Sequence, residues 1–302
     1  MSYIIRTFIP GILTLFFLTI PASAQDTYVY DNAGRLKSVT YGTGGPVAAY
    51  KYDDANNRTE EKVTGIALNI ATNYSAGTPL NMNTLATSLG YGNDEAITFE
   101  VTVTADITGS GSSGAGDPAI ETGTWPGQYD VTLKLIINSG IDISGGGGKG
   151  GTGGDFYSAY GSDGFAGGHA INMEEDLEIV NNGIIKGGGG GGGGGAADNE
   201  CCGDDGYQVS RGGGGGGGGW PNGAGGIAGN DTGVPGTNGS GGTTSGGGNG
   251  GSVAGAKGGN AASNGSNSGG IGGDGGTKGW GIKKNGNVLI LTGSGTNSGT
   301  GT

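Results

Sequence analysis

Few residues in this chain have the chemistry for catalysis or tight ligand binding, and they fall in three groups. His169 is the only histidine, so any Ser-His or Cys-His nucleophile system would have to use it. It sits in the glycine-rich stretch Gly167-Gly168-His169-Ala170-Ile171. The sequence therefore reads as a non-enzyme with no cofactor. Cys201 and Cys202 are adjacent and are flanked by Asp198, Glu200, Asp204 and Asp205. In an oxidising compartment the pair is open to three states: a vicinal disulfide, an intermolecular bridge, or two free thiols. The four carboxylates supply oxygen of the kind that holds Ca²⁺, but their spacing does not match an EF-hand loop, and a solvated acidic loop is the simpler reading. The third group is aromatic. Phe156, Tyr157, Tyr160 and Phe165 fall within ten residues between glycine stretches, and Tyr207 lies in the acidic loop. Such side chains offer large contact area and, in tyrosine, a polar tip suited to sugars and protein surfaces. They are the candidate recognition residues. The alternative is that they fold over the end of the glycine region as a small core.

What must position these residues is unusual. Of 302 residues 79 are glycine, 16 of them before Gly145 and the rest from there on. That second half cannot build an ordinary side-chain core. Gly187 to Gly195 is an unbroken run of nine and Gly212 to Gly219 a run of eight. Flexible linkers usually mix Ser with Gly. These runs are pure, alternate with segments of other character, and carry Trp220, Ile227, Ile271 and Trp280 at their edges. The ordered reading is a sandwich of polyproline-II-like helices with about 3.1 Å rise per residue and no internal hydrogen bonds, each backbone bonded laterally to its neighbours. Any Cβ would block that approach, which makes Gly191 and Gly216, in mid-run, structural. A strict Gly-X-Y period is absent, so collagen is excluded.

Residues 66–144 read as a small β-platform domain. Ala96–Thr104 and Asp130–Ile137 alternate apolar and polar residues with period two, and Pro79–Leu89 suits one short helix. Asn138-Ser139-Gly140-Ile141 and Asn181-Asn182-Gly183-Ile184, 43 residues apart, each precede a glycine run. Lys284-Asn285-Gly286-Asn287-Val288 reads as a third version without a run. Asn-Gly between β-branched residues signals a tight turn, so the runs start from structured turns. The expected fold class is mostly β and irregular, with little α-helix.

Residues 1–25 read as an export signal: Arg6, an apolar stretch from Phe8 to Ile20 broken by Pro10-Gly11, then Ala22-Ser23-Ala24. The mature chain is then secreted, periplasmic or at the cell surface. A formal charge of -12, without any basic cluster, argues against nucleic acid and against an anionic membrane as partner, and no later segment is apolar enough to insert.

Between the signal and the platform, Tyr28-Val29-Tyr30-Asp31-Asn32-Ala33-Gly34-Arg35 and, 22 residues on, Tyr50-Lys51-Tyr52-Asp53-Asp54-Ala55-Asn56-Asn57-Arg58 share Y-x-Y-D-x-A followed by Gly or Asn and then Arg. They resemble the YD repeats of the Rhs family, whose β-strand spirals form shells on secreted bacterial proteins. The resemblance covers residues 26–65, with Asn56 in place of the second turn glycine.

A second resemblance covers about residues 95–302. Asp117-Pro118-Ala119-Ile120, Gly123-Thr124-Trp125-Pro126, Asn138–Ile141, a glycine run, Gly167–Ile171, Asn181–Ile184 and long glycine runs follow in order. This order resembles the glycine-rich receptor-binding domain of phage tail-fibre adhesins and tail host-specificity proteins. The resemblance implies a polyglycine-helix sandwich whose connecting loops bind a cell-surface receptor, an outer-membrane protein or glycan, with His169 in the scaffold. Phage structural proteins carry neither an export signal nor YD repeats, so a Gram-negative bacterium is the expected owner. Two other readings remain. A structural or ice-interacting surface protein would use the lattice itself, although Thr232, Thr237, Thr243, Thr244 and Thr277 keep no fixed period. A truncated piece of an Rhs-type secreted system would lack its toxin domain.

Overall fold

Alternating tyrosines and short polar turns make strands, and the two YD repeats fold as four of them. The structure, a computed structural model, describes residues 26–41, 47–64, 67–111, 114–155, 160–200, 209–211, 213–229, 236–251, 255, 257–260, 263–268 and 272–302. The expected export signal lies outside these residues. The chain forms two compact units, Met1–Glu61 and Lys62–Thr302.

β1 (Thr27–Tyr30), β2 (Leu36–Thr40), β3 (Val47–Tyr52) and β4 (Arg58–Thr64) form a sheet in that order, the first unit ending at Glu61 within β4. Each repeat turns at an aspartate. The Asp31 carboxylate accepts the backbone N–H of Ala33 and of Arg35, both at 2.9 Å, and Asp53 accepts that of Asn57 at 2.8 Å. Hydrogen bonds from the Arg35 backbone and side chain hold the Asp31 carboxyl below the usual carboxylate range. Both turns need a left-handed residue, and Gly34 (φ 75°) and Asn56 (φ 67°) supply it. Asparagine tolerates that region better than other residues with a side chain, which is how Asn56 stands in for glycine.

The second unit is a triangular β-solenoid that the strand pattern lays down coil by coil. The first coil holds β5 (Leu68–Tyr74), β6 (Leu80–Asn81) and α1 (Met82–Ser88), the one short helix, N-capped by the Asn81 side chain. The second holds β7 (Ile97–Val103), β8 (Ile107–Thr108) and β9 (Ile120–Glu121). The third holds β10 (Val131–Ile137), β11 (Asp142–Ser144) and β12 (Ile171–Asn172). The fourth holds β13 (Leu177–Asn181), β14 (Ile184–Lys186), a hairpin of β15 (Asp198–Glu200) and β16 (Val209–Arg211), and then β17 (Ile282–Lys283). β18 (Leu289–Thr292), β19 (Thr296–Asn297) and β20 (Thr300–Gly301) make the last coil.

Corresponding strands stack into three parallel sheets, ordered β18-β13-β10-β7-β5, β19-β14-β11-β8 and β20-β17-β12-β9-β6. In-register stacking puts like on like. Ile107, Ile143 and Ile185 form one column, Leu80, Ile120, Ile171 and Ile282 a second, and Phe99, Leu133, Leu177 and Leu289 a third. The three columns point inward into one core, joined by Met82, Tyr91 and Trp125 beside the first coils. Fully burying each of these aliphatic side chains is worth about 1.5–3 kcal/mol.

The stretch 66–144 does not fold apart from the glycine-rich half. It supplies β5 to β11, and β12 to β14 and β17 to β20 of the same sheets come from beyond residue 145. A single turn of a solenoid buries its inner face only against its neighbours, so the coils must stack together. The Asn138–Ile141 and Asn181–Ile184 turns occupy one corner of successive coils, between the first and second sheets. The third version, Lys284–Val288, sits at a different corner, between β17 and β18; the true third member of the series is Gly293–Gly295.

The remaining corner, between the second sheet and the third, carries the glycine-rich insertions. Residues 109–119, 145–170 and 187–281 leave it in successive coils, whereas only two residues span it in the last.

Candidate receptor-binding end

The insertions are held by their own backbones. Along 187–195 the N–H groups take partners with a period of three. Gly188, Gly191 and Gly194 donate to the carbonyls of Gly168, Phe165 and Ser162; Gly189, Gly192 and Gly195 donate to Trp220, Gly217 and Gly214; Gly190 and Gly193 donate to Ser263 and Ser266. These bonds are 2.8–3.1 Å long. The carbonyls of the same run accept from Gly148, Gly151 and Gly154, from Gly279, Gly276 and Gly273, and from Gly259. Three residues per turn is the repeat of a polyproline-II helix, and it directs bonds to all sides of the run. Each backbone group thus finds the partner that a helix or sheet would otherwise provide. Contact is so close that a methyl group on Gly191 would collide with the Lys149 carbonyl, and one on Gly216 with that of Gly192.

Partner order fixes direction. Runs 145–154, 187–195, 223–229, 246–251 and 263–268 lead away from the solenoid, and 161–170, 213–219, 237–242, 257–260 and 272–279 lead back. At the near end Trp220-Pro221-Asn222 makes a turn against the solenoid corner. The Asn222 side chain donates to the Gly109 carbonyl (2.9 Å) and accepts from Gly147 (3.1 Å). Trp220 is buried there, its indole N–H on the Thr244 carbonyl (3.0 Å) and the Lys186 ammonium over its ring.

At the far end Gly154 bonds to Gly195, Gly213 to Gly154, Gly229 to Gly213, Gly194 to Ser162 and Gly273 to Gly194, all at 2.8–2.9 Å. The residues that flank segments 155–161, 196–212, 230–236 and 269–271 therefore meet at one place, about 28 Å from the solenoid for a nine-residue run.

Of the candidate recognition residues, Tyr160 stands at this far end with 68% of its surface exposed. Phe165 does not share the loop. Its backbone is paired with Lys149 and Gly191 in mid-run, so its ring, 45% exposed, lies along the side of the lattice and packs toward Gly114. Phe156, Tyr157, Cys201, Cys202, Asp204, Asp205 and Tyr207 lie outside the described residues, as does Ile271. Asp198 and Glu200 are on β15, whose backbone pairs antiparallel with β16, Asp198 opposite Arg211. Trp280, 41% exposed, ends the last run, with Lys278 over its ring.

His169 is in the scaffold. It is half-buried beside the solenoid corner, and its Nδ1 accepts the backbone N–H of Trp280 at 3.0 Å. Burial first, and the nearby Lys283 charge second, hold its pKa below the ordinary value. Sequence reasoning missed one feature: an open depression of about 430 Å³ lined by Ser240, Thr243, Ser245, Asn249, Lys257 and Asn260, at the near end of the outer runs. No aromatic or catalytic signal marks it in the sequence. Among the described residues no group of three or more His, Cys, Asp or Glu is placed to hold a metal ion, and no helix is long and apolar enough to cross a membrane.

The glycine lattice thus gathers its connecting loops at one end. The family model of the phage tail fibre adhesin Gp38 matches residues 65–302, and the chain belongs to that family. The RHS Repeat model matches residues 30–65, the YD unit. Among solved structures, the crystal structure of the gp37-gp38 adhesin tip complex of the bacteriophage S16 long tail fiber is similar, with 24% identity and a TM-score of 0.47 over 80% of this chain and 84% of that one. No curated protein matches the chain.

Proposed function

We propose that this chain is an exported, non-enzymatic recognition protein whose loops at the far end of the glycine lattice bind a cell-surface receptor, an outer-membrane protein or a glycan. The observation that carries this reading is the gathering of the connections between outward and returning runs at one end. The runs themselves offer one repeated backbone pattern and cannot discriminate between ligands, so specificity falls to the loops that ride on them. Tyr160, with most of its ring in solvent, is a contact residue of the kind such surfaces use. The export segment at residues 1–25 and the absence of any basic cluster fit a partner on the outside of a cell.

Binding of the purified chain to a panel of Gram-negative cells, outer-membrane proteins and glycans tests this. Residues 155–161 replaced by a Gly-Ser loop of equal length should abolish binding to whichever surface the unaltered chain recognises, with its melting temperature retained. A chain that binds none of the panel, or whose binding survives exchange of this loop and of 196–212 together, would overturn the reading.

A further inference from the structure

The YD unit ends in two edges that match one another and that no described strand covers. β1 and β2 make the first repeat and β3 and β4 the second, and the repeats join through β2 and β3, Ser38 opposite Ala49, Val39 opposite Ala48 and Thr40 opposite Val47. β1 stands to its repeat as β3 does to the next. The outer edge of β1 is therefore equivalent to the edge that β3 turns toward β2, and the outer edge of β4 to the edge that β2 turns toward β3. Among the described residues no strand pairs with either edge.

Side chains tell the same story. At the internal joint the Arg35 guanidinium lies over the Tyr52 ring at 5.0 Å and donates to the Asn56 side chain at 2.9 Å, while the Tyr52 hydroxyl donates to the Leu36 carbonyl at 3.0 Å. Tyr30 is the counterpart of Tyr52 one repeat earlier. It is 59% exposed, and among the described residues no cation lies over it. All four residues of β1, Thr-Tyr-Val-Tyr, are exposed, and none is charged or proline. Natural edge strands usually carry such residues to prevent pairing with other chains. β1 has none.

We infer that a second copy of this chain occupies these edges: β4 of one copy adds antiparallel to β1 of the next, with Arg58 of the first over Tyr30 of the second, as Arg35 lies over Tyr52 within one chain. Two different edges meet, so the contact is heterologous. It builds open rows or rings, not two-fold dimers. Each YD unit contributes only two repeats, fewer than the three or so at which stacked repeats become self-supporting, and pairing between copies makes up the number.

The test is the mass of the full chain in solution by sedimentation and light scattering across a hundredfold concentration range. Weight-average mass should rise at least twofold for the unaltered chain. Val29→Lys places a charge on the β1 edge and should hold the chain monomeric. Neighbouring residues in an antiparallel pair alternate in the side to which their N–H points. One of Thr59→Pro and Glu60→Pro therefore removes only an outward donor from β4, and the variant that keeps the native melting temperature should also be monomeric. Mixed one to one, the β1 variant and the β4 variant should form a dimer that stops there, since each retains the edge the other has lost. Arg58→Ala should weaken association about threefold or more. A chain that stays monomeric at every concentration overturns the inference. So do association that survives both edge variants and a β4 variant that dimerises alone.

Discussion

The Nδ1 atom of His169 accepts the backbone N–H of Trp280 at 3.0 Å, joining the start of β12 to the start of β17 across 111 residues of sequence. Only unprotonated Nδ1 can accept. Burial, with the charge of Lys283, depresses the folded-state pKa below the ordinary 6.5. The unfolded chain consequently takes up this proton first as pH falls. The contribution of His169 is fully present above about pH 6.5 and is lost as the pH drops through the folded value. Melting temperature should therefore fall more steeply between pH 7 and pH 5 in the native chain than in His169→Asn, which keeps an acceptor but cannot titrate. Parallel curves would show that His169 does not report on folding.

Gly191 and Gly216 allow no side chain, because the carbonyls of Lys149 and Gly192 occupy the space a Cβ would take. Gly191→Ala and Gly216→Ala should each cost about 1–3 kcal/mol or more, the range for forced overpacking. Gly127 is the control: a methyl group there meets nothing within 4 Å, so Gly127→Ala should stay within about 0.5 kcal/mol. Thermal unfolding of the three variants decides the matter, and equal melting temperatures would mean that the lattice is looser than its hydrogen bonds indicate.

Tyr160 is the recognition candidate seen in the open at the far end. Tyr160→Ala should weaken cell-surface binding at least tenfold, about 1.4 kcal/mol, without lowering the melting temperature. Tyr157→Ala and Tyr207→Ala should do the same. Early melting with normal binding once folded would reassign these rings to end packing.

Asn56 holds a left-handed backbone at φ 67°. Asn56→Ala should cost about 1–2 kcal/mol in local stability, and Asn56→Gly much less, since glycine enters that region freely. Hydrogen exchange at the amides of Asn56 and Asn57, which bond to Asp53, measures the difference, with faster exchange expected only in the alanine variant.

The sequence made parts of this fold readable and hid others for identifiable reasons. Ile97–Val103 and Val131–Ile137 show their alternation over seven residues, and α1 carries its cap, so these elements could be read locally. The second and third sheets could not. Their strands, such as Ile120–Glu121, Ile143 with its neighbours in Asp142–Ser144, and Ile171–Asn172, are two or three residues long and contribute one inward side chain each, which leaves no period to detect. Their partners are also remote: β14 and β17 belong to one coil but stand on either side of residues 187–281. For the same reason Lys284–Val288 resembles the Asn-Gly turns of another corner. The aromatic loop is legible as composition, but its extent is not: Phe165 is already paired within the returning run, and sequence distance alone does not show where a glycine run resumes.

That the glycine-rich insertions all leave the same corner has a consequence for how such a molecule changes over generations. The solenoid's register is set by strands that the insertions never enter, so a run can be lengthened, or a loop exchanged, without disturbing the core columns. The natural unit of exchange is larger than one loop, however. The run 187–195 is bonded to 148–154, to 162–168 and to 273–279, so a new lattice imported between Lys186 and Ile282 must also suit the run pair carried by residues 145–170. Single loops are free to drift, whereas whole lattices must travel as sets.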